Sequence, residues 1–165
     1  MQPTGTTAPT PDGDPEPVPA PGVPYPHRIR FTEAHKHGIV LGHERDYTAL
    51  TNWVHTVVPS RIATRVERIA VALASNAHRH TLSGDPGGTV RVVVEVNAFL
   101  ISVWVSDNGP RNQTVIPYPR LGDPRRSPLP GLHLVEDLAV FWDWEWQWAG
   151  TRMGPLTVRA VVENP

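Results

Sequence analysis

The order of elements in this 165-residue sequence predicts an α+β fold: a two-layer sandwich with a mostly antiparallel sheet and helices on one face. Three observations predict it. Val90 to Val96 and Phe99 to Val105 are two β-branched runs separated by Asn97 and Ala98, the pattern of a hairpin. From Ser60 to about Thr81, Ile62, Val66, Ile69, Leu73 and Ala77 recur at helical spacing and form one apolar stripe. "VFWDWEWQW" alternates Trp142, Trp144, Trp146 and Trp148 with Phe141, Asp143, Glu145 and Gln147, a strand that turns through "GTRMG" into the last strand, "LTVRAVVE".

The remaining elements follow in chain order. Residues 1–26 hold nine of the 19 prolines and almost no large apolar side chain, so they cannot bury enough surface to offset chain entropy; a disordered or polyproline-like tail is expected. The folded domain is expected over 27–165. His27 to Glu33, with Ile29 and Phe31 alternating, reads as a first strand. Arg45 to Val58 places Tyr47, Leu50, Val54 and Val57 at helical spacing and stops at Pro59, with Ser60 able to cap the next helix. "SGDPGG", Ser83 to Gly88, is a turn cluster. Residues 108–130 are rich in Pro, Gly and Arg without periodicity, the signature of a functional or mobile loop. "GLHLVEDLA", Gly131 to Ala139, reads as a short helix.

Composition excludes several classes. The sequence contains no cysteine, so disulfides, thiolate zinc sites and a thiol nucleophile are out. No apolar run approaches about 18 residues, so no membrane span is expected. The N-terminus lacks the basic-then-apolar pattern of a secretory signal, and a cytoplasmic address is expected. A formal net charge of −1 argues against a nucleic-acid partner.

Three stretches carry candidate chemistry. The first is "VALASNAHRHT", Val71 to Thr81. His78 and His80 are two apart and face different sides, whereas a two-histidine helical metal site needs spacing of three or four. Asn76 lies roughly 40° from the centre of the apolar stripe and His80 near that centre. An inward amide either bonds nearby backbone or faces a cavity, where its oxygen suits a hard cation such as magnesium shared with phosphates. The second is "VWVSDNGP", where a strand delivers Asp107 and then Gly109. A turn and an acceptor carboxylate at a pocket mouth both fit this stretch. The third is "LPGLHLVEDLA", where Gly131 opens a helix whose free N–H groups can hold phosphate, or simply serves as a helix entry.

In this order and spacing the three stretches resemble the histidine-kinase-like ATPase domain. "ALASNAHRHT" and "GLHLVEDLA" are most similar to its small bacterial branch, the anti-sigma-factor serine kinases. The resemblance covers roughly residues 28–163. It implies ATP and magnesium as ligands, with Asn76 holding the metal, Asp107 accepting from the adenine amino group, and Gly109 admitting the base. It further implies that Gly131, with Leu132 beside it, receives phosphate through backbone amides. Thr157 matches the family threonine that assists adenine binding, and His80 matches a histidine that follows the family asparagine. A protein partner is implied, a sigma factor or its antagonist, and a homodimer is compatible with the resemblance.

Three positions depart from the family pattern. The glutamate expected one turn before Asn76 is Ala72, and Glu67 lies more than a turn further back. Arg111 stands at the second glycine of the first glycine box, and Leu129 at the first glycine of the second. These departures leave two expectations open. One is a protein serine/threonine kinase lacking its general base, with positioning supplying much of the catalysis. The other is a non-catalytic binding module, for which exposed Trp rings on the aromatic strand could form part of the surface.

Overall fold

The computed structural model describes residues 24–114 and 131–165. Most of the proline-rich segment, the loop beyond residue 114 and Leu129 therefore lie outside the described residues. The chain forms β1 (His27–Ile29), β2 (Lys36–Leu41), α1 (Thr48–Val57), α2 (Ser60–His80), β3 (Val90–Val96), β4 (Leu100–Ser106), α3 (Gly131–Leu138), β5 (Phe141–Ala149) and β6 (Arg152–Glu163). A short 3-10 turn, Leu82–Gly84, follows α2. The six strands make one open antiparallel sheet in the order β1-β2-β3-β4-β6-β5, with the three helices packed against it. The predicted fold class is the one observed.

β2 has no counterpart in the sequence reading. "KHGIVL" is only six residues, interrupted by Gly38, and its last four residues are buried without alternation. Gly38 is required because a Cβ there would meet Phe31 at 2.9 Å and Ile29 at 3.0 Å. β6 begins earlier than expected, at Arg152, and runs through Pro155. Pro155 is tolerated because pairing with β5 shifts register between Trp146 and Trp148, so the missing N–H falls at an irregularity in the ladder.

α2 lies at the centre of the helical layer, packed between α1 and α3. Its Ile62, Val66, Ile69 and Leu73 meet a sheet face of Val92, Val94, Ile101, Val103, Val158, Ala160 and Val162. Ala63, Ala70 and Ala74 are fully buried and let the helix approach its neighbours closely. The Trp row of β5 shares the helix side of the sheet, since Trp142 pairs with Ala160 and Trp144 with Val158. β5 is an edge strand, however, and α3 reaches only its start, where Glu136 accepts from the Trp142 indole. Trp144 and Trp148 are consequently 41% and 58% exposed. No helix among the described residues is long and apolar enough to cross a membrane.

Candidate functional site

The chain direction brings the candidate residues to one end of the sandwich. α2 ends there, α3 begins there, and β4 delivers Asp107 there. A cavity of about 580 Å³ opens along the outward side of α2, between α1 and the start of α3. Asn76 and Gly131 both line it, as do Ala72, Ser75, Arg68 and Arg79. Residues 68, 72 and 76 repeat every fourth position and so share one helix face. The two guanidiniums and the first N–H groups of α3 give this cavity anion-binding chemistry. Gly131 begins α3 at φ +22°, a positive value. Leu132 contributes only its backbone to that end, because its side chain is 5% exposed and belongs to the core.

Ala72 presents a methyl group to the cavity. The nearest carboxylate in the wall is Glu67. Its Oε2 lies 2.8 Å from His55 Nε2, and its Oε1 accepts from the Thr51 hydroxyl at 3.3 Å. Nine positions along α2, about two and a half turns or 13.5 Å of helix rise, separate it from Asn76. Glu67 therefore belongs to the far end of the groove.

Asp107 follows the last residue of β4 and turns toward the helix side of the sheet. It is 6% exposed. Its Oδ1 accepts from Gly109 N at 2.7 Å and from Leu156 N at 2.9 Å. Oδ2 has no hydrogen-bond partner among the described residues. Burial pushes the carboxyl up to about 6, against the pull of the Leu156 and Gly109 amides. Gly109 has φ +95°, and a Cβ there would meet the Gly154 carbonyl oxygen at 2.9 Å. The turn and the close backbone approach thus explain this glycine without reference to a ligand. Asp107 is not in the wall of the cavity that holds Asn76 and Gly131; it lies at the same end of the fold.

Two expected residues are placed elsewhere. His80 is exposed and does not line the cavity. Partial burial, then Arg79, Arg111 and Arg45, lower its proton affinity. The fully buried histidine is His78. Its Nδ1 lies 2.9 Å from the Tyr47 hydroxyl and its Nε2 2.9 Å from the Gly42 carbonyl oxygen. The helical wheel places His78 away from the stripe, but the segment entering α1 covers that side of α2. His80 sits on the stripe at the last residue of the helix, where cover ends. Thr157 pairs with Ser106 and so points to the sheet face opposite Asp107. Its hydroxyl bonds the Ser106 hydroxyl at 2.7 Å.

Arg111 has a structural role that a glycine could not fill. Its Nη1 donates to the Arg79 carbonyl at the end of α2, and its Nε and Nη2 donate to Asp85. Among the described residues no group of three His, Asp or Glu side chains could hold a metal ion. Asn76 alone therefore fits magnesium only as one protein ligand of an ion coordinated mainly by phosphate and water. Arg68, Arg79 and Tyr47 were not singled out by the sequence, although the 68-72-76 spacing carried the signal for Arg68. Neither a protein-family model nor a curated protein sequence matches the chain.

Proposed function

We propose that the chain binds ATP with magnesium and acts as a regulatory protein on a protein partner, in the manner of the anti-sigma-factor serine/threonine kinases it resembles. The observation that carries this reading is the shared cavity of Asn76 and the α3 N-terminus at Gly131, with Arg68 and Arg79 in the same wall. An amide oxygen, two guanidiniums and a helix start together suit a polyphosphate. Asp107, with one carboxylate oxygen unpaired, is the group to accept from the adenine amino group. Magnesium, when bound, would neutralise phosphate charge and fix phosphate geometry beside Asn76.

Sequestration of the partner without phosphoryl transfer is the second reading, and Ala72 favours it. The cavity beside Asn76 offers a methyl group where a carboxylate would orient or deprotonate the acceptor hydroxyl. Val140, Phe141, Trp144 and Trp148 are exposed on or beside the β5 edge and suit contact with a protein, a second copy included.

Calorimetry with ATP, with and without magnesium, tests the nucleotide reading. Binding is expected with magnesium and should weaken at least tenfold in its absence or in Asn76→Ala. A protein that takes up no ATP under either condition overturns it. Incubation with labelled ATP and candidate sigma factors or antagonists then separates kinase from binder.

A further inference from the structure

Trp146 is half-buried on β5, and its indole Nε1 is sealed from solvent without a hydrogen-bond partner among the described residues. Folded proteins rarely leave such a donor unmatched, and each instance calls for a physical reason. Trp146 pairs with Leu156 across the β5–β6 ladder. Leu156 N in turn donates to Asp107 Oδ1 at 2.9 Å. Asp107, Leu156 and Trp146 therefore form one row across β4, β6 and β5, on the helix side of the sheet. Two strand spacings separate the backbones at its ends, about 9.5 Å. At one end is an acceptor, Asp107 Oδ2, without a donor. At the other is a donor, Trp146 Nε1, without an acceptor. Between them lies the partly buried Leu156 side chain, an apolar floor.

This end of the row is also rigid. A Cβ at Gly154 would meet the Gln147 carbonyl oxygen at 2.9 Å, and one at Gly109 the Gly154 carbonyl oxygen at 2.9 Å. Three backbones thus close on one another beside the row. β5 is an edge strand, so the indole can turn toward an entering ring without displacing a neighbouring strand.

We propose that Trp146 is a base-recognition residue, its indole N–H donating to a ring nitrogen of the adenine whose amino group donates to Asp107. The proposal rests on the nucleotide reading of the site. An aminopurine supplies both missing partners: an exocyclic donor and unprotonated ring nitrogens. Guanine turns a carbonyl oxygen toward Asp107 instead, so the row selects adenine over guanine.

The test uses the full chain labelled with 5-fluorotryptophan, titrated with magnesium-ATP and magnesium-GTP, with the Trp146 fluorine signal assigned from Trp146→Phe. Calorimetry on wild type, Trp146→Phe and Asp107→Asn runs in parallel. The expected result is a Trp146 signal that moves with ATP. Trp146→Phe should lose about tenfold in ATP affinity, with a narrowed preference over GTP. Wild-type affinity and preference in Trp146→Phe overturn the proposal, whatever the fluorine signal does. If that variant does not fold, the Trp146 signal is assigned by elimination from single Phe substitutions of the five other tryptophans, and its failure to move at saturating ATP overturns the proposal. If Asp107→Asn loses ATP while Trp146→Phe does not, only the role of Trp146 falls. A wild type that binds no nucleotide removes the nucleotide reading as well.

Discussion

Asp107 carries a stability effect of its own and, under the proposed nucleotide binding, a recognition role. Its carboxyl is raised from 3.8 to about 6, so the folded state holds its proton more tightly than the unfolded chain does. Stability from this group is therefore fully present below pH 3.8 and is lost as pH rises through 6. A shift of this size corresponds to about 3 kcal/mol at neutral pH. An asparagine can still accept the Gly109 and Leu156 amides through its own oxygen and carries no charge. Asp107→Asn is thus expected to be more stable than wild type at pH 7 by about 2–3 kcal/mol, an advantage that closes by pH 4. Urea denaturation at the two pH values checks this. Under the proposed nucleotide binding the same variant should also lose ATP, because its amide nitrogen would face the adenine amino group donor to donor. Ala72 is the second residue of consequence. Ala72→Glu places a carboxylate one turn before Asn76 and, under the proposed ATP binding, is expected to raise ATP turnover at least tenfold. A binding-competent Ala72→Glu protein with unchanged turnover would show that the missing base is not what limits it.

At the level of elements, α2 owes its end to a side chain remote in sequence. Arg111 donates to the Arg79 carbonyl, a last-turn acceptor without an intrahelical donor, and brings a positive charge to the negative end of the helix dipole. Arg111→Gly is expected to destabilise the fold by about 1 kcal/mol. Its midpoint in urea should fall without a change in slope. β5 and β2 show the two ways an element escaped or rewarded the sequence reading. The Trp alternation made β5 plain, since a period of two survives at a sheet edge. β2 was hidden because Lys36, His37 and Gly38 dilute its pattern and the unbroken burial of its last four residues removes the alternation. The same limit applied to His78 and His80. Periodicity ranks positions around a helix, but which side is covered at a given turn depends on what packs there, and at the last turns of α2 that is Tyr47 and Gly42.

For the whole molecule, the nucleotide reading makes stability depend on ligand. Asn76 on α2, Gly131 on α3 and Asp107 beyond β4 come from three separate elements, so a ligand touching all three ties them together. Magnesium-ATP at a hundred times its dissociation constant should stabilise the fold by about 2.7 kcal/mol, a rise of roughly 10 °C in Tm. Differential scanning fluorimetry reads it directly, and chelation of magnesium should remove most of the shift. A Tm indifferent to ATP and magnesium together would contradict binding at this end of the fold.

The sequence by itself determined the class of fold. Apolar period, turn residues and proline positions are local, and they specify helices and strands before any packing is known. It also determined the chemical types available: an amide on α2, a carboxylate beyond β4, a glycine opening α3 and no base at residue 72. Tertiary structure alone decided which of these meet. It put Asn76 and Gly131 in one cavity with Arg68 and Arg79, buried His78 in place of His80, and turned Thr157 to the face opposite Asp107. It also aligned Trp146 with Asp107. The reason is that proximity across strands depends on register and coverage, which are set by the whole packed chain and not by any segment of it.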